Sequence, residues 1–307
     1  MGYFTGVCSS YAEIVATLVN VVKNAGIGWE ELTDTGGFSV LHKNNLYVQV
    51  RTIHGGAGVL GRTSLDSGSP INLVGVSDFH STYGAKLGPI QFPVNYFCFT
   101  FTNPDEVYFI IKDRDRYQFI AFGQSNVTFT TGTGLWVAGT TGLTSTLPYY
   151  IDLASYSSNW PSFSTYGYVS SSNDTCAAPF WSYTYSTSSA YNYNNAWLNS
   201  DSGWVINSSG ARPVGLLLAS QPNEFNNQAL LLPITYNGGK DATLTNARYI
   251  RINYIDPEDI LYHGDEQWMV FPFFRKINAW YRVSGDYKYL MDLDSTLTYG
   301  WAIRKVS

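Results

Sequence analysis

The chain has 307 residues, of which 45% are hydrophobic, 16% aromatic and only 13% charged, and its net charge is −5. That much apolar matter supports a packed core and excludes global disorder, and the acidic balance disfavours non-specific binding to nucleic acid. No apolar run reaches the ~18–20 residues needed to span a membrane as a helix, and Cys8, Cys98 and Cys176 are too few and too widely spaced for a disulfide framework or a zinc site.

The first predicted element is a helix. Ser10 with Glu13 forms a capping-box pattern, and Ala12, Ile14, Val15, Leu18, Val19 and Val22 then recur at helical spacing. Lys23 lies in the last turn and Gly26 is placed to end it. One face is apolar, so the helix is expected to cover a sheet. Strands are expected at 38–41 and 47–53 around the turn pair Asn44-Asn45, and at 96–101, 107–111 and 117–122. Asn103-Pro104-Asp105 and the charged stretch 112–116 read as the intervening turns. This block, 1–124, is expected to be a helix packed on an antiparallel sheet.

Residues 125–210 are built almost wholly from Ser, Thr, Gly, Asn, Tyr and Trp, with no Lys, Arg or Glu and with only Asp152, Asp174 and Asp201 as charges. Such a segment cannot perform charge chemistry. It presents rigid aromatic faces beside small hydrogen-bonding groups, a mixture suited to contact surfaces. Its Trp and Tyr content argues against a flexible linker, so it is expected to be an ordered, loop-rich, partly β insertion. Within it Tyr185, Tyr191, Tyr193 and Trp197 are the candidate intersubunit contacts; filling the insertion's own small core is the competing role for them.

The last block, 211–307, is expected to be β-rich, with strands at 214–219, 229–234, 249–254, 268–274, 279–283 and 298–303. It can complete the core of the first block. Asp256-Pro257-Glu258-Asp259 reads as a turn or a helix start with acids at its positive end. The expected fold is therefore α+β and β-dominated: an N-terminal helix on an antiparallel sheet, an aromatic-rich β/loop insertion, and a β-rich C-terminal block.

Candidate chemistry is thin. Gly56-Ala-Gly-Val-Leu-Gly61-Arg62-Thr63 has the look of a phosphate-binding loop, but Arg62 stands where such a loop has Lys and no helix start follows. A mobile Gly-rich loop reaching toward a neighbour is the expectation there. His42, His54, His80 and His263 form no metal-ligand pair, and no cofactor or metal is expected. Asp256, Glu258 and Asp259, with Asp292 and Asp294, are the acids a glycosidase would need, but the sequence brings no chosen pair together. There is no Gly-x-Ser-x-Gly elbow, and the chain is not expected to be an enzyme.

Three aromatic regions resemble those of tailed-bacteriophage virion proteins. They are Tyr3-Phe4-Thr5-Gly6 before the single helix and Gly28-Trp29; 96–101 followed by 107–112; and Gln267-Trp-Met-Val-Phe-Pro-Phe-Phe-Arg-Lys276 with Tyr299-Gly-Trp-Ala-Ile-Arg304. The resemblance covers both end blocks and not the middle. It implies a structural subunit of a contractile-type tail, at the neck (collar or tail terminator) or the baseplate. Such subunits form rings, often hexamers, and sit in the virion after assembly in the host cytoplasm. The implied partners are copies of the chain itself and other phage neck or tail proteins. The composition agrees with that expectation, because permanent interfaces are apolar, aromatic and poor in Lys and Glu. A receptor- or glycan-binding virion protein, using the aromatic block to stack on sugars, is the alternative.

Overall fold

The computed structural model describes residues 1–53, 55–66, 73–78, 89–126, 134–143, 148–150, 156–157, 160–161, 180–182, 224–225, 228–229, 231–236, 242–252, 255–272 and 299–306. In chain order, β1 (Gly2–Cys8) leads into α1 (Tyr11–Asn24), followed by β2 (Glu30–Thr33), β3 (Ser39–Lys43), β4 (Leu46–Ile53), β5 (Gly56–Arg62) and β6 (Leu73–Ser77). Next come β7 (Val94–Phe101), β8 (Glu106–Asp113), β9 (Arg116–Gln124), β10 (Leu135–Gly139), β11 (Thr141–Leu143), β12 (Pro148–Tyr150), β13 (Tyr156–Ser157), β14 (Trp160–Pro161) and β15 (Phe180–Ser182). The chain continues with β16 (Glu224–Phe225), β17 (Gln228–Ala229), β18 (Leu232–Tyr236), β19 (Ala242–Arg251), β20 (Ile260–His263), β21 (Glu266–Pro272) and β22 (Tyr299–Lys305). The protein is thus β-dominated, with one helix among the described residues.

Three antiparallel sheets carry the fold. The central sheet has the order β1-β7-β8-β9-β10-β15, the second β12-β11-β6-β5-β4-β3-β2, and the third β18-β19-β22-β21-β20. β10, which lies inside the Ser/Thr-rich block, pairs with β9 through Val137↔Phe122 and its neighbours. Beyond Gly139 the chain leaves the central sheet and joins the second one as β11, a strand that changes sheets at a corner. Thr140 sits at that corner; its N–H donates to the Phe119 carbonyl at 3.1 Å, and its hydroxyl oxygen accepts the Phe119 N–H at 2.7 Å.

The helix begins as its capping signal predicts. Ser10 Oγ accepts the Glu13 N–H at 3.1 Å, and Glu13 Oε2 accepts the Ser9 N–H at 2.6 Å. Gly26, with φ of 68°, follows the Ala25 cap. Ile14, Leu18, Val19 and Val22 are buried together with Leu46, Val48, Val50, Ala57 and Val59 of the second sheet and with Cys98, Phe109, Ile111 and Phe122 of the central one. This is the first core. The opposite face of the central sheet is buried too, against the third sheet. Phe271 lies 5.3 Å from Phe97 and 5.9 Å from Phe99, and Trp301 lies 4.4 Å from Phe119 and 5.7 Å from Tyr108, ring centroid to centroid. β8 and β9 therefore carry near-continuous apolar runs, interrupted in β9 by Gln118, as strands covered on both faces do. The third sheet has its own outer core of Ile250, Ile252, Ile255, Trp268, Val270 and Ala302.

One sequence expectation is overturned and one choice is decided. Gly56–Arg62 is no mobile loop but a fully buried strand, paired with β4 on one side and β6 on the other. Its small residues serve close packing of backbones: a Cβ placed on Gly75, which faces Gly58, would lie 2.0 Å from the Ala57 carbonyl oxygen. Of the two readings of Asp256–Asp259, a turn or a helix start, the fold has the turn, closed by the Asp259 N–H donating to the Asp256 carbonyl at 3.1 Å. The strands expected at 214–219 and 279–283 fall outside the described residues.

Candidate assembly surface

The charged residues decide whether the chain carries a chemical site. Asp34, in the turn after β2, is buried. Its Oδ1 accepts the N–H groups of Gly36 and Phe38 at 2.9 Å each, and its Oδ2 accepts from Gln49 Nε2 at 2.7 Å and Arg62 Nη1 at 2.9 Å. Burial alone would raise the Asp34 carboxyl, but the Phe38 N–H, Gln49 and Arg62 outweigh it and hold the group below the ordinary carboxylate value. This cluster pins the β2–β3 turn to β4 and β5.

Glu106, at the start of β8, is equally buried. Its carboxylate accepts the Thr245 N–H at 2.7 Å, the Asn246 N–H and Asn246 Nδ2 at 2.8 Å each, and the Tyr108 hydroxyl at 3.0 Å. Burial is the dominant influence and raises its pKa against the pull of those four donors. It locks β19 of the third sheet onto the central sheet. Lys43 donates to the Ile27 carbonyl and to Asp105 Oδ1 at 2.6 Å each, Arg116 pairs with buried Asp113, and Glu258 accepts from Lys112 and from the Tyr117 hydroxyl. Gln118 bridges the first two sheets, accepting the Ser77 N–H at 3.0 Å and donating to the Ser77 carbonyl at 2.9 Å. These polar groups tie one element to another.

Among the described residues the candidate acids are held apart by other partners. Glu258 is held by Lys112 and Tyr117, Asp259 Oδ2 accepts the Asp256 N–H at 3.0 Å, and Asp292 and Asp294 lie outside the described residues. His42 sits between Glu30 and the Asn44 carbonyl at 2.7 Å each, far along the chain from His263 on β20, while His54 and His80 are outside the described residues. Among the described residues no group of three or more His, Cys, Asp or Glu could hold a metal ion, and no helix is long and apolar enough to cross a membrane. Tyr185, Tyr191, Tyr193 and Trp197 also lie outside the described residues.

What the fold does present is an open strand edge. β1 pairs with β7 from Gly2↔Thr100 to Cys8↔Val94, and among the described residues no strand pairs with its other side. Along β1, Phe4, Gly6 and Cys8 turn toward the first core, with Gly6 lying under the Tyr96 ring. Tyr3, Thr5 and Val7 share the opposite face. Tyr3 packs 5.0 Å from Phe99, its hydroxyl reaches Met269 Sδ at 3.8 Å, and Lys305 Nζ lies 5.0 Å over its ring. Thr5 and Val7 are exposed, Val7 by 52%. By contrast the edge strand β2 carries Glu30 and Glu31, charges that blunt an edge against pairing. The sequence reading did not identify β1 as a strand. Its signal was an uncharged run of aromatic and β-branched residues bounded by Gly2 and by the Ser9-Ser10 cap.

No protein-family model matches the chain, and no curated protein matches it.

Proposed function

We propose that the protein is a non-enzymatic structural subunit of a phage tail or neck, which assembles through apolar, aromatic contacts and joins adjacent virion components. The observation that carries this reading is the uncharged edge of β1 on the central sheet, which no other strand pairs among the described residues, in a chain with only 13% charged residues. An open edge is a template for pairing with another chain, and free monomers usually protect theirs. The buried charges support the same reading, since they join the chain's own elements. A ring of identical subunits, with sixfold symmetry as the first candidate, is the expected assembly, and the aromatic insertion 125–210 would supply further contacts. The alternative is a receptor- or glycan-binding virion protein. It rests on the nearly charge-free aromatic composition of that insertion.

Light scattering on the purified chain, followed by negative-stain imaging, tests the proposal. A closed oligomer of defined mass is expected. Replacing Tyr191 and Tyr193 with Ser should weaken it if these residues lie between subunits; unchanged assembly removes them from the contact surface. A monomer that binds a defined glycan on an array would transfer the function to the alternative.

A further inference from the structure

Two exposed features lie on facing surfaces of neighbouring sheets. β20 pairs with β21 through Ile260↔Met269 and Tyr262↔Gln267, so Ile260 and Tyr262 share the sheet face of Met269. That face looks onto the central sheet, where Phe271 meets Phe97 and Phe99 and Met269 meets Tyr3 of β1. Among the described residues β20 is the next strand outward from β21 and the last of its sheet, and β1 is the last of the central sheet. The third sheet thus overhangs the central one by a strand at this end. Tyr262, on the inward-looking face, is 65% exposed for that reason. On β1 itself, Thr5 and Val7 are uncovered on the face that looks toward the third sheet. One further strand laid against β1 would fill the space under Tyr262.

We propose that this strand is β1 of a second copy of the chain, paired antiparallel about a twofold axis at Thr5. This deepens the assembly reading, on which it rests, by naming one interface and its partner. Pairing of all seven residues fixes the register: Thr5 faces Thr5, Tyr3 faces Val7, and Phe4 faces Gly6 of the other copy. Each large side chain then meets a small or β-branched one, a favourable cross-strand arrangement. β1 carries no charge, whereas the edge strand β2 carries Glu30 and Glu31. The overhanging Tyr262 of each copy comes over the exposed Val7 end of the other, so the same contact covers both exposed apolar residues. The contact is isologous and doubles the six-stranded central sheet into one continuous sheet. It is distinct from the head-to-tail contacts that close a ring, and it would join subunits or rings back to back.

The test is disulfide mapping on the full chain. Thr5 and Val7 are exposed, so Thr5→Cys and Val7→Cys variants should fold, which their thermal unfolding checks against the parent chain. Mild oxidation of Thr5→Cys is expected to give a covalent dimer linked through position 5, identified by peptide mass. Val7→Cys and the parent chain should give little, because position 7 faces position 3. Tyr262→Ala should raise the dissociation constant of the dimer by about tenfold or more. An oligomeric parent chain whose Thr5→Cys variant does not cross-link at position 5 would overturn the β1 contact while leaving the assembly reading standing. A parent chain that is monomeric at all concentrations, with no cross-link, would sink both. Capture of a strand from a different protein at β1, with no linkage between copies, would also overturn the inference.

Discussion

At the residue scale, two buried carboxylates are placed for opposite pH dependences. Asp34 is held below its ordinary value by the Phe38 N–H, Gln49 and Arg62, which together overcome its burial. Its stabilisation is therefore full above the unfolded carboxylate value of about 3.9 and is lost as pH falls through the lower folded value. Replacing Asp34 with Asn should remove that acid-side loss. It should also cost about 3–5 kcal/mol at neutral pH, because Arg62 keeps a buried charge without its partner; denaturant unfolding measures both. Glu106 is raised, chiefly by burial. Its contribution is greatest below the unfolded glutamate value of about 4.3 and declines as pH rises through the higher folded value. Glu106→Gln should flatten the decline in unfolding free energy on that side. A profile identical to that of the parent chain would show that Glu106 does not change its protonation on folding. Neither role was legible in the sequence, where Asp34 is one acid in a Thr/Gly turn and Glu106 one acid before an apolar run.

At the element scale, α1 and the β3–β4, β7–β8 and β8–β9 hairpins were legible because their signals are local. A capping pair with helical spacing marks the first, and Asn44-Asn45, Asn103-Pro104-Asp105 and the charged stretch 112–116 mark the hairpins. β5 was misread for a physical reason. A strand buried on both faces lacks the alternation that identifies strands, and its glycines mimic a loop. The same tight packing predicts that Gly75→Ala will destabilise the protein. The new Cβ would meet backbone at 2.0 Å, and backbone cannot step aside as a side-chain tip can. The cost should be at least about 1–3 kcal/mol, read as a lower denaturant midpoint. A midpoint unchanged from the parent would mean that β5 and β6 can part at no cost.

For the whole molecule, the interface between the central and third sheets is an aromatic layer, and its largest inward side chains include Trp301 and Phe271. Phe271→Ala should cost about 3–5 kcal/mol, since it empties a space ringed by Phe97, Phe99 and Tyr117. A chain ending after residue 126 would bare the face carrying Phe97, Phe99, Tyr108 and Phe119 and should bind a hydrophobic dye. A truncated chain that stays soluble and dye-free would show that the third sheet is dispensable to the first block.

The sequence by itself determined the β-dominated class and the N-terminal helix, because composition, periodicity and turn chemistry act over a few residues. Only the tertiary structure decided which strands lie at edges, which sheet covers which, and which acids meet which donors. Those outcomes depend on contacts between residues as far apart as Tyr3 and Met269 or Glu106 and Asn246, and no local pattern encodes them. The exposure of Val7 and Tyr262 belongs to the same kind. Each is an ordinary apolar residue in the sequence, and it becomes a candidate contact because the fold leaves it exposed at a sheet edge.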